Sequence, residues 1–147
     1  MEQKLNKHSD EFGTPDEIFM ELHRRYQFTI DAAATKGNSK LPRFVTKEEN
    51  ALSKTFLGER AFCNPPYSNG NCRKFAMHFF EQTGTGLCPL AVLIVPTKTE
   101  QAWFHDLLHS GRVEVKFFRR RIKFVGGEGS ARDSHMLLVI WPPTHLF

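Results

Sequence analysis

The tetrapeptide Asn64-Pro65-Pro66-Tyr67 contains the residue types best suited to chemistry. An amide nitrogen, or the exocyclic amine of a planar base, is a poor nucleophile because its lone pair is delocalised. The Asn64 side-chain oxygen and the Pro65 carbonyl can together accept both N–H bonds of such an amine, which makes its nitrogen more tetrahedral and electron-rich. The two prolines fix the backbone and keep both acceptors aimed. This NPPY tetrapeptide therefore favours alkyl transfer to an amine or amide nitrogen.

Tyr67 adds an aromatic face to the NPPY tetrapeptide. A flipped planar base can stack on such a face with a gain of roughly 1–3 kcal/mol per base. No strong base is required, since the amine proton can leave after the transfer. The structural alternative is a turn that ends a strand, in which Pro-Pro only stiffens the backbone and Tyr67 only packs. Because an apolar run at 61–63 precedes the tetrapeptide and a helical pattern follows it, we favour the functional interpretation.

The spacing of apolar residues predicts the helices and strands that position these residues. The predicted strands are 27–30, 61–63, 90–95, 113–118 and 136–141, and the predicted helices follow Thr14-Pro15, cover 73–82 up to Gly84, and precede Gly111. Thr14 is the predicted N-cap of the first helix, with Pro15 as its first residue and Glu17 completing a capping box. Thr97 and Glu100 are candidate caps of the third.

Strands that alternate with helices predict an α/β protein, a three-layer sandwich around a mostly parallel sheet. Ligands of such sheets bind outside the carboxyl ends of the strands. Asp31 and Asn64 each follow a predicted strand, so both are expected at that end.

Length and composition fit one compact domain. The chain has 147 residues, of which 40% are hydrophobic. We predict a flexible tail at 1–11 and a single domain at 12–147, without a separate target-recognition domain. The apolar run at 90–95 is too short to cross a bilayer, no secretory signal is readable at the N-terminus, and three cysteines favour a reducing compartment. A cytoplasmic protein is expected.

The positive charge is concentrated in one stretch. Residues 1–111 carry 13 basic and 13 acidic side chains, whereas 112–132 carry seven basic and two acidic ones. The centre of this stretch is Arg119-Arg120-Arg121, followed by Lys123. Concentrated cations favour phosphate binding, because each neutralised phosphate releases counterions. The alternative is a solvated strand edge that arginines keep soluble.

Other polar residues are weaker candidates. Lys98 follows the buried strand at 90–95 and can face a base or a phosphate, or else belong to a loop before a helix cap. His105 and His109 have metal-compatible spacing, but no third ligand accompanies them, so surface histidines and no metal are expected. The glycine-rich turn at 126–129 lacks the Lys-Ser/Thr of a phosphate loop.

Four segments together resemble the small, phage-type N6-adenine DNA methyltransferases, the Dam-like group of phages and prophages. The segments are Thr14-Pro15, the Phe-Thr-Ile-Asp-Ala-Ala-Ala of 28–34, the Glu-Arg-Ala-Phe-Cys-Asn-Pro-Pro-Tyr-Ser of 59–68, and the Arg-Ile-Lys-Phe of 121–124. The resemblance covers about residues 12–143. It implies a small Rossmann-like methyltransferase that moves a methyl group from S-adenosylmethionine to the N6 amine of adenine in double-stranded DNA. It also implies a phage or prophage gene, expressed in a bacterial host.

The resemblance also assigns site residues. Asn64, Pro65, Pro66 and Tyr67 match the catalytic motif, and Asp31, Ala32, Ala33 and Ala34 match the cofactor-side motif. Small alanines let the backbone approach the methionine part of the cofactor, and Asp31 can accept a hydrogen bond from its ammonium group. The chain departs from methyltransferases at large, which carry a glycine-rich turn here, so an aspartate that only ends a strand is the alternative.

Three further residues are candidates on the cofactor side. Thr14 and Pro15 stand where related enzymes place a helix start against the cofactor, and helix N-termini favour its carboxylate. Plain helix capping also explains Thr14. Asn50, with its neighbour Glu49, stands where an acidic or amide side chain can meet the ribose or adenine of the cofactor.

Two other functions remain open at this point. The same amine chemistry serves methyltransferases that act on RNA or on protein glutamine, and the basic stretch favours a nucleic acid without separating RNA from DNA. A DNA-binding protein with a decayed site is the other alternative. We expect DNA as the partner, no membrane association, and a monomer or weak homo-oligomer.

Overall fold

The computed structural model describes residues 13–126 and 133–143. Its elements are α1 (Asp16–Tyr26), β1 (Ile30–Asp31), a 3₁₀ helix (Ala51–Ser53), β2 (Arg60–Cys63), α2 (Asn71–Gly84), β3 (Leu90–Pro96), α3 (Ala102–His109), β4 (Val113–Phe117) and β5 (His135–Ile140). The predicted tail at 1–11, residues 127–129 of the glycine-rich turn and Arg132 lie outside the described residues. Within these ranges, no helix has the length and apolar character needed to cross a membrane.

The five strands form one mixed sheet in the order β1-β2-β3-β5-β4. β1, β2 and β3 pair in parallel, whereas β5 pairs antiparallel with both β3 and β4. Four strands thus point one way and β5 alone is reversed. Parallel neighbouring strands require a crossover connection, usually a helix, and the described part of the β4–β5 connection contains no helix. An antiparallel β4–β5 pair fits this connection. The predicted α/β class is confirmed, and β5 is the exception to a parallel sheet.

Both faces of the sheet are covered, because successive side chains of a strand point to opposite faces. Leu93 and Val95 of β3 pack in one cluster with residues of α2 and α3, such as Phe79 and Phe104. Val92 and Ile94 pack on the other face in a second cluster, whose members from outside the sheet include Phe19, Tyr26, Phe28, Ile122 and Phe124. Every residue of β3 is buried, as its continuous apolar run predicts.

The predicted start of α1 is wrong by one residue. Pro15 is the N-cap, with φ −57° and ψ 139°, and the helix begins at Asp16. Among the described residues no side chain caps its first turn, so the predicted Thr14–Glu17 capping box is not formed. The Thr14 hydroxyl accepts a hydrogen bond from Asn64 instead.

Other boundaries also differ from the predictions, by one residue at several strand ends and more clearly in three elements. Gly84 lies inside α2, which begins at Asn71. Gln101, rather than Thr97 or Glu100, is the N-cap of α3. β1 covers only Ile30 and Asp31, whereas the predicted strand covers 27–30.

Candidate active site

The carboxyl ends of β1, β2 and β3 bring the polar residues of the site together. Asp31 is the last residue of β1 and pairs with Phe62, while Cys63 is the last residue of β2 and pairs with Leu93. Asn64 comes directly after Cys63. Asp31 therefore ends its strand instead of following it, and the prediction that Asp31 and Asn64 lie at the same end of the sheet is confirmed.

Two side chains hold the Asn64 amide, one at each of its polar atoms. Its Nδ2 donates to the Thr14 hydroxyl at 3.1 Å, and its Oδ1 accepts from the Tyr67 hydroxyl at 2.6 Å. Thr14 comes from 50 residues earlier in the chain and is only 2% exposed. The orientation of the amide is therefore set by side-chain contacts on both sides.

The NPPY tetrapeptide is partly accessible. Pro65 is buried, whereas Asn64, Pro66 and Tyr67 are half-buried. An amide oxygen has two acceptor lone pairs, and the Tyr67 hydroxyl engages one of them. The tetrapeptide does end β2, as the turn alternative requires, but a turn alone does not need both polar atoms of Asn64 to be held. Asn64 retains capacity to accept a donor from a ligand.

Tyr67 is one of three neighbouring rings beside Asn64. The Tyr67 ring centroid lies 5.5 Å from that of His135 and 6.3 Å from that of Phe124, and the latter two lie 4.9 Å apart. The Tyr67 hydroxyl also lies 3.3 Å from the carbonyl oxygen of Ile94 in β3. These contacts fix the ring against the carboxyl end of the sheet.

His135 is a site residue that sequence reasoning missed. It is 3% exposed, and its Nδ1 lies 3.1 Å from the Asp133 carbonyl oxygen. A carbonyl only accepts, so Nδ1 carries the proton and Nε2 of the neutral ring is an acceptor. Burial lowers the pKa of His135, which favours this neutral form. A polar residue at the start of an apolar strand was the only sequence signal.

Two buried polar atoms at this end of the sheet have no hydrogen-bond partner among the described residues. They are the Thr97 hydroxyl oxygen and the His135 Nε2. The Thr97 N–H donates to the carbonyl of Ser134 at 2.9 Å, and Ser134 is the residue before β5. Thr97 therefore lies next to the start of β5. Buried polar groups are normally satisfied, so a partner from outside the protein chain, such as water, is expected at both atoms.

Asp31 is held in a different way from Asn64. It is 2% exposed, and its two carboxylate oxygens accept the backbone N–H groups of Ala33 at 3.4 Å and Lys40 at 3.0 Å. Burial raises its pKa to about 6, against the lowering effect of these hydrogen bonds. A carboxylate offers about four acceptor positions, so two remain for a cation such as an ammonium group. The residues present therefore fit a ligand with that group.

The alanines beside Asp31 leave little side-chain bulk. Ala32 and Ala34 are buried, and Ala33 is half-buried. Backbone hydrogen bonds tie this segment to 43–45, including Ala34 N–H to the Val45 carbonyl at 3.0 Å. The N–H groups of Ala32 and Ala33 are engaged as well, by the Phe62 carbonyl and the Asp31 carboxylate. The approach of a cofactor to this main chain stays a prediction.

Asn50 is exposed and caps the 3₁₀ helix at 51–53. Its side-chain oxygen accepts the Leu52 N–H at 3.1 Å, and its φ of 57° lies in the left-handed region. The structure thus gives Asn50 a local role that the sequence analysis did not assign to it.

The basic segment runs past the rings of the site. Arg119, Arg120, Arg121 and Lys123 are all exposed, whereas Ile122 and Phe124 are buried. Phe124 is the ring beside Tyr67, so the alternation places the cations outward and anchors the segment at the site. Lys98, the other predicted contact, is also exposed, two residues beyond the end of β3.

The next residue, Val125, gives the segment a second connection to the site. It pairs with Gly13 through two backbone hydrogen bonds of 2.9 and 2.8 Å. Gly13 precedes Thr14, which holds Asn64. Sequence spacing alone does not show this proximity of the arginines to the NPPY tetrapeptide.

The family model described as DNA N-6-adenine-methyltransferase (Dam) matches residues 2–144. The chain belongs to this Dam family. The DNA N-6-adenine-methyltransferase of Haemophilus phage HP1 (strain HP1c1) is a relative. The two chains are 26% identical over an alignment 151 residues long, gaps included, which spans 97% of this chain and 86% of the phage protein. The predicted family and enzyme class, an adenine-specific DNA methyltransferase, are confirmed.

Proposed function

We propose that this Dam-family enzyme transfers a methyl group from S-adenosylmethionine to the N6 amine of an adenine flipped out of duplex DNA into the NPPY tetrapeptide. In this proposal the fold is a small Rossmann-like methyltransferase, encoded by a phage or prophage like the gene of its relative. The observation that carries the proposal is the Asn64 amide, held at both polar atoms and half-exposed at the carboxyl end of the sheet.

The acceptors of the tetrapeptide act on the amine of the target base. The Asn64 Oδ1 and the Pro65 carbonyl accept the two N–H bonds, which localises the nitrogen lone pair. When bound, S-adenosylmethionine supplies an electrophilic methyl carbon on a positively charged sulfur. The adenine nitrogen would take up that methyl group as its bond to sulfur breaks, and a proton would then leave from nitrogen to water. Tyr67 keeps Asn64 aimed through its hydroxyl.

The target base must leave the duplex stack to reach Asn64. Flipping costs a few kcal/mol, which stacking on an aromatic ring offsets in part. We assign this stacking to Tyr67, whose ring is half-buried and braced by Phe124 and His135. A braced ring loses little conformational freedom when the base arrives.

We assign cofactor binding to the end of β1. Asp31 would accept the ammonium group at its two remaining positions, and Ala32, Ala33 and Ala34 would admit the methionine part of the cofactor to their main chain. Pro15 and the start of α1 would face the carboxylate of the cofactor. Thr14 would connect the two parts of the site, since its hydroxyl also holds Asn64. Asn50 stays assigned to the ribose or adenine.

We assign the phosphates near the flipped base to Lys98, Arg119, Arg120, Arg121 and Lys123. All five side chains are exposed. Changing the three arginines to glutamine removes three cations, so the slope of log affinity against log salt is expected to fall by about 2.7 at 0.9 per phosphate contact. Fluorescence anisotropy with duplex DNA at several salt concentrations measures it, and an unchanged slope removes this role.

One labelling experiment tests the proposed function. The enzyme is incubated with S-adenosylmethionine carrying a radiolabelled methyl group and, in parallel, with duplex DNA, RNA of the same sequence, or a glutamine-containing peptide. Label recovered as N6-methyladenine from the duplex supports the proposal. Label in RNA or in the peptide assigns the same amine chemistry to another substrate, and DNA binding without any label indicates a decayed site. Either result overturns the proposal.

A further inference from the structure

A groove of about 550 Å³ lies between α1 and the end of β4. Its floor is apolar, formed by side chains such as Leu22 and Leu137. Its charged lining residues are four cations and one acid: Arg24, Arg25, Lys116, Arg119 and Glu21. This lining is separate from the NPPY tetrapeptide and from the Asp31 turn.

The groove begins at the same end of the sheet as the active site. Phe117, which lines it, is the last residue of β4 and pairs with Met136, and Met136 pairs in turn with Val95 near the end of β3. The Tyr26 end of α1 lies at the opposite end of the sheet, since the Tyr26 carbonyl accepts from Arg60 Nε at 2.7 Å and Arg60 begins β2. The part of α1 that lines the groove runs from Ile18 to Tyr26 and spans about 13 Å, so the groove can follow a ligand for about that length.

Folding adds cations to the basic segment. Counted along the chain, Arg24 and Arg25 belong to the electrically neutral residues 1–111, but in the groove they line the same cavity as Lys116 and Arg119. Arginines in the last turn of a helix complement its dipole, which accounts for Arg24 and Arg25 in α1. It does not account for Lys116 and Arg119, which line the same groove. In the described part of the chain no carboxylate forms an ion pair with these four side chains. Uncompensated like charges around one groove favour a polyanion between them.

We propose that this groove binds the sugar–phosphate backbone of duplex DNA beside the target adenine; the inference rests on the proposed function. Arg119 lines the groove and also begins the arginine run, so the two basic surfaces are continuous. A length of about 13 Å corresponds to about four base pairs of helix axis. Phe117, 62% exposed at the groove, offers an apolar contact to the deoxyribose rings.

Duplex length separates this groove from the active site. Two duplexes share one adenine that the labelling assay shows to be methylated, and the longer one extends about four base pairs further on each side. The wild type is expected to bind the longer duplex about tenfold more tightly. In Arg24→Gln/Arg25→Gln most of this gain is lost and the salt slope on the longer duplex falls by about 1.8, while binding of the short duplex is unchanged. Lys47→Gln/Lys54→Gln removes the same charge from exposed positions outside the groove and is expected to leave both values unchanged.

A variant that is expected to bind more tightly separates the role of the groove from a loss of folding, because a misfolded protein does not gain affinity. Glu21→Gln removes the one acid that lines the groove and is expected to tighten binding of the longer duplex about threefold, with no change on the short one. Glu81→Gln makes the same change at an exposed position of α2 and is expected to have no effect.

The outcomes distinguish this inference from the proposed function. Absence of label in adenine overturns the proposed function. If adenine is labelled normally but Arg24→Gln/Arg25→Gln still binds the longer duplex more tightly, the groove proposal alone is overturned. The same holds if this variant binds both duplexes more weakly by the same factor. Equal binding of the two duplexes by the wild type, without any length gain, also overturns the groove proposal.

Discussion

Two neighbouring strand ends hold their polar residues by different means. At the end of β2, side chains of Thr14 and Tyr67 hold Asn64, which stays half-buried. At the end of β1, backbone N–H groups hold Asp31, which is 2% exposed. One residue is a neutral amide near the surface and the other is a carboxyl group in the interior.

The difference fits a proposed reactive role for Asn64 and, beside its assignment to the cofactor, a proposed organising role for Asp31. A neutral amide can be held half-buried at little electrostatic cost, so it keeps acceptor capacity facing a substrate. A carboxyl group in the interior loses hydration of its charged form, and burial accordingly raises the pKa of Asp31 to about 6. The backbone hydrogen bonds that oppose this shift also shape the turn at 32–40. The comparison predicts that substitutions at Asn64 reduce catalysis, whereas substitutions at Asp31 change stability and its pH dependence.

The largest effect is expected for Asn64→Ala. Loss of the side-chain acceptor should lower the rate of methyl transfer by about 10³-fold or more, equivalent to about 4 kcal/mol of transition-state stabilisation. Single-turnover label transfer measures the rate, and calorimetry should show cofactor affinity close to that of the wild type. Asn64→Asp keeps an acceptor oxygen and serves as the matched control, with more activity than Asn64→Ala. An alanine variant within tenfold of the wild-type rate would refute the assigned role.

Asp31→Asn tests the organising role through pH. Because its pKa is raised from 3.8 to about 6, the folded protein retains a proton that the unfolded chain loses as pH rises between these values. This group therefore reduces the free energy of unfolding progressively from pH 4 to 6 and by about 3 kcal/mol above pH 6. Asp31→Asn removes that contribution.

Urea denaturation at pH 4 and pH 7 measures the effect. Relative to the wild type, the asparagine variant should gain stability at pH 7 compared with pH 4. Asp106→Asn, at an exposed position of α3, is the control and should follow the wild type. Parallel pH profiles for the wild type and Asp31→Asn would show that the carboxyl group is not the source of this dependence.

Thr14→Val and Tyr67→Phe each remove one partner of Asn64 while leaving most of the local packing in place. Each is expected to slow methyl transfer about tenfold, equivalent to about 1.4 kcal/mol, because the amide is held on one side only. The double variant should lose less than the product of the two effects, since both partners orient one group. Thr99→Val, at an exposed position, is the control. Wild-type rates for both single variants would remove the orienting role.

The smallest effect is expected at Asn50. Asn50→Gly removes the cap at 51–53 but tolerates its φ of 57°, so the free energy of unfolding should fall by only a few tenths of a kcal/mol. The assigned contact with the cofactor predicts about a threefold higher cofactor Kd with an unchanged rate at saturation. An unchanged Kd would confine Asn50 to the capping of the 3₁₀ helix.

Local patterns were sufficient to predict several parts of the fold. The apolar run at 90–95 predicted a fully buried strand, and Asp31 and Asn64 were predicted at strand ends because each follows an apolar segment. Capping was less predictable. Thr14, Pro15 and Glu17 have the spacing of a helix start, but the Thr14 hydroxyl binds a residue 50 positions away instead.

The sequence by itself predicted the Dam-like family and the enzyme class, because the NPPY residues and the other segments of the resemblance are read directly from the chain. Only the tertiary structure decided what surrounds them: Thr14 and Tyr67 on the Asn64 amide, His135 behind the Tyr67 ring, and the helix arginines opposite Lys116. The physical reason is that contacts between residues distant in the chain depend on how the sheet and helices pack. That packing follows from the whole distribution of apolar side chains and not from any short pattern.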